Sequence, residues 1–270
     1  MRNGSTGQQV ATLQRELNTA GFKLSVDGWF GDVTEAAVRA FQARVGLVVD
    51  GIAGPKTLAT LITREKDKRL LGEKDLIAAA SRLGIDIASI KAVNEVESSG
   101  RGFLPDGRPA ILYERHKAFG LLGETGVPAD AAIALAQRYP NLINEKRGGY
   151  AGGAAEWSRL RTALTLVAPV VAYGACSWGQ YQIMGYHWLV LGYASIDEFV
   201  TAMHRSEADH LDAFARFIEA DPALHKALKA RKWADFARIY NGPAYKANAY
   251  DIKLARAYER YAGFELAKAA

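Results

Sequence analysis

The sequence predicts a mainly helical protein of two domains: a small three-helix domain, then a larger helical domain with a small β-hairpin. Three observations predict it. Apolar residues recur at helical spacing along most of the chain, a 23-residue repeat is confined to its N-terminal part, and one turn-rich stretch interrupts the helices.

In the first domain, residues 1–66, Val10, Leu13 and Leu17 mark a helix that Gly21 can stop. Then Val26-Asp27-Gly28-Trp29-Phe30-Gly31 with Thr34 returns, 23 residues on, as Val49-Asp50-Gly51-Ile52-Ala53-Gly54 with Thr57. In each copy Asp-Gly supplies a tight turn, and the Thr precedes an apolar stripe, Ala37/Val38/Phe41 or Leu58/Leu61/Ile62. The alternating charges from Thr63 to Arg69 have no apolar face, which makes 67–72 a linker and 73–270 the second domain. Helical stripes there are Leu76/Ile77/Ala80, Ile87/Ile90/Val93, Ala131/Leu135 and Leu160/Leu164/Val167, then one long pattern from Ile196 to Ile218 and another from Tyr245 to Tyr261. Residues 102–113, with Pro105-Asp106-Gly107 between Phe103-Leu104 and Ala110-Ile111-Leu112, carry the turn chemistry of the hairpin or a loop.

At 270 residues with 49% hydrophobic side chains the chain is globular, and no apolar run is long enough to span a bilayer. The first residues lack the apolar core of a secretory signal, so synthesis in the cytoplasm is expected. Cys176 is the single cysteine, which excludes an intrachain disulfide; in its apolar segment it reads as a buried small residue. A net charge of +5 favours an anionic partner. Residues 226–270 hold ten Lys/Arg against four Asp/Glu, so the excess lies at the C-terminus. There Lys246, Lys253 and Arg260 flank an apolar stripe, either a solvated helix face or a contact for anionic lipid or lipopolysaccharide. The histidines show no metal-binding spacing, no glycine loop fits phosphate, and no motif fits nucleic acid. Neither metal nor cofactor is expected, and the chain is expected to be a monomer.

Chemistry points first to Glu97. It ends the helix that begins after Asp86, and at about 100° per residue it lies on the stripe of Ile90 and Val93. Burial and the negative end of the helix dipole both raise a carboxyl pKa, as a general acid near neutral pH requires. The competing reading is a structural carboxylate paired with Arg101 or Arg108. Glu95 points the other way and reads as an exposed partner of Lys91.

Residues 4–62 resemble the peptidoglycan-binding domain type 1, through Val10-Ala11-Thr12-Leu13-Gln14, the two Val-Asp-Gly segments and Ala40-Phe41-Gln42. Further on, Glu97-Ser98-Ser99-Gly100, Gly179-Gln180-Tyr181-Gln182-Ile183-Met184 and Ile239-Tyr240-Asn241-Gly242 resemble, in order, the three motifs of the lysozyme-like superfamily. The span from Val96 to His116 is similar to the N-acetylmuramidase domain of modular phage endolysins, a likeness that extends over 73–266. These resemblances imply a lysozyme-like α+β domain that cuts the β-1,4 bond between N-acetylmuramic acid and N-acetylglucosamine, with Glu97 as the acid. Tyr181, Gln182, Tyr240, Asn241 and His116 would bind the sugars, and Asp27, Trp29 and Phe30 the wall. For a second carboxylate Glu114 ranks above Asp106, which also suits a plain turn residue, while Glu114, Arg115 and His116 could equally form a structural ion-pair cluster. Trp178 and Trp188 could stack on sugars, and 148–153 could be a mobile loop at the cleft. A lytic transglycosylase using the same acid and a non-catalytic wall-binding protein are the alternatives. Release through a separate membrane pore is the family habit for a chain without a signal.

Overall fold

The computed structural model describes residues 1–98 and 101–269, so the Ser99-Gly100 end of the expected Glu-Ser motif lies outside the described residues. The chain forms two compact units, residues 1–92 with 254–270 and residues 93–253. The segments 73–92 and 254–270 cluster with the N-terminal residues.

In the first unit, α1 (Gln8–Thr19), α2 (Asp32–Val45) and α3 (Pro55–Thr63) are the three expected helices. Gly46 (φ 73°) ends α2 in left-handed backbone, and Pro55 begins α3, where its missing N–H costs nothing. Their inner faces bury Val10, Leu13, Leu17, Phe30, Val38, Phe41 and Leu61. The repeat has a physical cause in two buried glutamines. Gln14 Nε2 donates to Asp27 Oδ1 (2.8 Å), Trp29 O (3.1 Å) and Thr34 Oγ1 (3.2 Å), while its Oε1 accepts from Gly28 N–H (3.0 Å). Gln42 does the same with Asp50 Oδ1 (2.7 Å), Ile52 O (3.1 Å), Thr57 Oγ1 (3.1 Å) and Gly51 N–H (2.9 Å). Each Val-Asp-Gly turn is thereby tied to the preceding helix, which is why Asp, Gly and Thr recur together.

Next comes α4 (Glu73–Leu83), which ends at Gly84, and α5 (Ile87–Glu97). Lys91 on α5, which spacing sets beside an exposed Glu95, turns inward instead. It is 1% exposed, and its Nζ meets Glu73 Oε1 at 2.6 Å, Val49 O at 3.1 Å and Glu265 Oε1 at 3.4 Å. A cation so buried persists because all these partners are acceptors.

In the second unit the expected hairpin over 102–113 is reduced to one bridge, Phe103 to Pro109, closed by the turn at Gly107 (φ 85°). The hairpin sits further on. β1 (Ile111–Tyr113), β2 (Cys176–Trp178) and β3 (Ile183–Met184) form an antiparallel sheet in that order, with Ile111 opposite Trp178 and Trp178 opposite Ile183. Around it pack α6 (Arg115–Glu124), α7 (Ala129–Arg138), α8 (Ala155–Ala163) and α9 (Pro169–Gly174). The long pattern from Ile196 is two helices, α10 (Ile196–Arg205) and α11 (Glu207–Ala220), because Ser206 takes extended backbone and caps α11 through Asp209 N–H. α12 (Pro222–Lys229) and α13 (Trp233–Asn241) follow, then a 3₁₀ turn over Pro243–Asn248 and α14 (Tyr250–Ala269). Phe199, Phe214 and Phe236 are fully buried on α10, α11 and α13, each contributing roughly 2–3 kcal/mol of apolar burial. Among the described residues no helix is long and apolar enough to cross a membrane.

Candidate active site

Glu97 is the last residue of α5, and it opens into a cleft of about 620 Å³ in the second unit. Tyr181, Gln182, Tyr240 and Asn241, four of the sugar-binding residues expected from sequence, line the same cleft, joined by Ile183, Met184, Tyr186, His187, Phe217 and Tyr250. Glu97 is half-buried, and burial raises its pKa from an ordinary 4.5 to about 7. Asn241 Nδ2 donates to its Oε1 at 3.1 Å, and Lys253 adds a favourable charge; both oppose the rise. Near neutral pH the carboxyl is therefore poised between donor and acceptor of a proton. The groups that act on Glu97 are thus Asn241 and Lys253, while Arg108 grips Asp106 at 2.5 Å, which holds that carboxyl below its usual range as a turn residue.

The opposite wall is the turn between β2 and β3. Gly179 (φ 70°) and Gln182 (φ 53°) both adopt left-handed backbone, a strained choice for glutamine. Its side chain is fixed from both ends: Ser177 Oγ donates to Oε1 (2.7 Å) and Nε2 donates to Gly179 O (2.8 Å). One amide hydrogen on Nε2 is left over by that geometry for a ligand. Tyr181 is 2% exposed, stacks on Phe214 at 4.6 Å and donates through its hydroxyl to Asn94 Oδ1 (2.7 Å). Tyr240 donates to Tyr181 O (3.1 Å), so the three motifs form one hydrogen-bonded chain. Both tyrosine hydroxyls are driven well above their ordinary pKa, first by burial. They serve as fixed donors.

Sequence reasoning missed Asn94, one turn before Glu97, which also accepts from Gln180 Nε2 (3.1 Å). It missed His187 too, whose pKa burial and then Lys117 lower to about 4. The helical spacing of Asn94 and Glu97 carried the first signal; nothing local carried the second.

Glu114 and His116 do not line the cleft. Glu114 is 6% exposed and its Oε2 accepts from Tyr150 Oη (2.7 Å) and faces His116 Nδ1 (3.2 Å), with Arg147 at 3.6 Å from Oε1. His116 is kept below its ordinary pKa, mainly by desolvation. The 148–153 loop lies against Arg115 and Glu114, away from the cleft lining: Arg115 donates to Lys146 O, Pro140 O and Arg147 O. Trp178 does not stack on sugars. It is 1% exposed, edge-on to Trp157 and Phe199, and its Nε1 donates to Tyr173 O.

In the first unit Phe30 is wholly core, and the Asp27 carboxylate is occupied by Gln14 and by Trp29 N–H, which lower its pKa. Asp27 and Trp29 both remain exposed, Trp29 at 54% over Gly31, where a Cβ would lie 2.6 Å from its Nε1. Among the described residues no group of three His, Cys, Asp or Glu could hold a metal.

Comparison with known proteins matches this arrangement. Residues 86–262 match the N-acetylmuramidase family, and residues 6–61 the peptidoglycan binding domain. The crystal structure of a Burkholderia AP3 phage endolysin is similar over 98% of this chain and 98% of that one, at 51% identity and a TM-score of 0.92. A zinc D-Ala-D-Ala carboxypeptidase of Streptomyces albus G is 40% identical over 72 residues, 25% of this chain and 28% of that protein. A spore cortex-lytic enzyme of Bacillus subtilis (strain 168) is 43% identical over 68 residues, 24% of this chain and 22% of that one. The chain thus spans about a quarter of the length of these curated relatives. With the Glu97 cleft inside the longer match, the chain belongs to the N-acetylmuramidase family, with a peptidoglycan-binding region ahead of that domain.

Proposed function

We propose that this protein is an endolysin that hydrolyses the β-1,4 bond between N-acetylmuramic acid and N-acetylglucosamine of peptidoglycan, with Glu97 as general acid. The observation that carries the reading is a carboxyl half-protonated near pH 7 in a cleft lined by Tyr181, Gln182, Tyr240 and Asn241. Glu97 gives its proton to the bridging oxygen as the sugar flattens toward an oxocarbenium ion, and the C1–O bond breaks. Water then adds to C1 and gives its proton to the Glu97 carboxylate, which restores the acid. Asn241 favours the carboxylate left behind, which lowers the cost of giving up the proton.

A second reading has its own support. Glu97 is the only carboxylate among the described residues lining the cleft, and Glu114, the expected second carboxylate, is held by Tyr150 and His116 instead. We assign Glu114 to that structural cluster. An intramolecular attack by the sugar's own C6 hydroxyl, returning its proton to Glu97, needs no second carboxylate and yields the anhydro product of a lytic transglycosylase. Mass spectrometry of the fragments decides: the hydrolase product is heavier by one water. Loss of all fragments with Glu97→Gln supports either enzyme; unchanged release by that variant removes both and leaves a wall-binding protein.

Residues 1–66 serve as the wall-binding module, 67–72 as linker and 73–270 as the catalytic domain, with Trp29 as the wall contact. A monomer suffices, since every catalytic residue named comes from one chain. The exposed positive face of α14, with Lys253 and Arg260, offers a contact for anionic lipid or lipopolysaccharide, which liposome binding of a charge-neutralised full-length variant would test.

A further inference from the structure

Two lysines flank the Glu97 cleft in the same way. Lys117, on the first turn of α6, places its Nζ 5.3 Å from the ring centre of Tyr186, and Lys253, on the first turn of α14, places its Nζ 5.6 Å from that of Tyr250. Both tyrosines line the cleft. Among the described residues neither ammonium makes an ion pair or a hydrogen bond, whereas nine arginines and Lys91 do pair with carboxylates. The aromatic faces hold these cations at the cleft without neutralising them.

The cleft offers little negative charge in return. Among the described lining residues the one carboxylate is half-neutral near pH 7, and His187 is neutral there. A groove flanked by two cations that no ion pair holds suits a ligand bearing carboxylates, and a neutral sugar polymer would leave both without one.

We infer that Lys117 and Lys253 read the carboxylates on the glycan's substituents, those of the lactyl ether or of the stem peptide, and so select an anionic strand over a neutral amino-sugar polymer. This rests on the proposed glycan cleavage. Lys117 is the cleaner probe, because Lys253 also acts on Glu97.

The test is steady-state kinetics of the full-length protein on soluble glycan strands that carry their peptides, and on strands stripped of peptide so that the lactyl carboxylates are free. Neutral N-acetylglucosamine oligosaccharides serve as competitive inhibitors. Lys117→Gln should raise KM about threefold and the double Lys→Gln variant about tenfold, with the inhibition constant of the neutral oligosaccharide moving far less. Lys117→Arg should restore KM, and added salt should erase the difference between wild type and variant. A penalty confined to peptide-bearing strands identifies the stem peptide as partner; one that persists on stripped strands identifies the lactyl group. The inference is overturned if KM is unmoved, if the neutral inhibitor weakens as much as KM rises, or if Arg is as poor as Gln. Failure of the underlying reading looks different: wild type would then cut neither strand, or Glu97→Gln would cut both.

Discussion

Replacing Glu97 by Gln should cut activity steeply and stabilise the protein, by an amount that depends on pH. The folded carboxyl titrates near 7 against an ordinary 4.5, because burial penalises its charge. Between those two values the folded chain keeps a proton that the unfolded chain has released, so stability falls as pH rises through this window and the loss is complete above it. Two and a half pH units at about 1.4 kcal/mol each amount to roughly 3 kcal/mol above pH 7. Gln occupies the same space, can still accept from Asn241 and never ionises. Glu97→Gln should therefore match wild type at pH 4 and melt about 5–10 °C higher at pH 8.5. Turnover of soluble glycan should drop by about 10²–10⁴. Thermal melts followed by circular dichroism at both pH values test this. A melting difference that is the same at pH 4 and pH 8.5 would refute the claim that burial sets the acidity of Glu97.

Other perturbations separate the remaining features. Asn241→Ala removes a donor that favours the ionised acid, so the alkaline limb of kcat/KM should move from about 7 toward roughly 8; a limb that stays or moves down contradicts the assignment. Gln42→Ala leaves the Gly51 N–H and the Asp50 carboxylate without their shared partner and should cost roughly 2–4 kcal/mol in denaturant melts, an effect absent if the glutamine merely fills space. Lys91→Ala should cost about 3–5 kcal/mol, whereas Lys91→Met combined with Glu73→Gln should cost less, since that pair leaves no buried charge alone. Trp29→Ala should leave stability within about 0.5 kcal/mol yet reduce retention on purified walls several-fold, as measured by pull-down.

Much of the site was legible because it is written in short segments. Glu97 could be placed on the buried face of its helix from periodicity alone, and Gln182, Tyr240 and Asn241 each stand in a recognisable motif. What escaped was long-range. Lys91 sits at helical spacing from Glu95, and only the fold reveals that Glu73 and Glu265 converge on it. Glu114 looked like a second catalytic carboxylate because it follows a strand, but its partner Tyr150 lies 36 residues away. Trp178 resembled a sugar platform by its position beside the glycine turn; pairing with β1 and β3 turns the ring into the core instead. The break at Ser206 was missed because the apolar stripe continues across it, while a single serine cap decides where the second helix begins.

His210 is 1% exposed on α11, where its Nδ1 accepts from Gln180 N–H and its Nε2 therefore carries the proton given to Met203 O. A Cβ at Gly102 would lie 2.6 Å from this ring, and one at Gly179 would lie 2.7 Å from it. One imidazole is thus the common buttress for the segment that follows α5 and for the bend that presents Gln182. Drift in these two stretches cannot be independent: a bulkier residue in either displaces the ring and disturbs the other. Any swap of the Gln182 bend between relatives must carry position 210 with it.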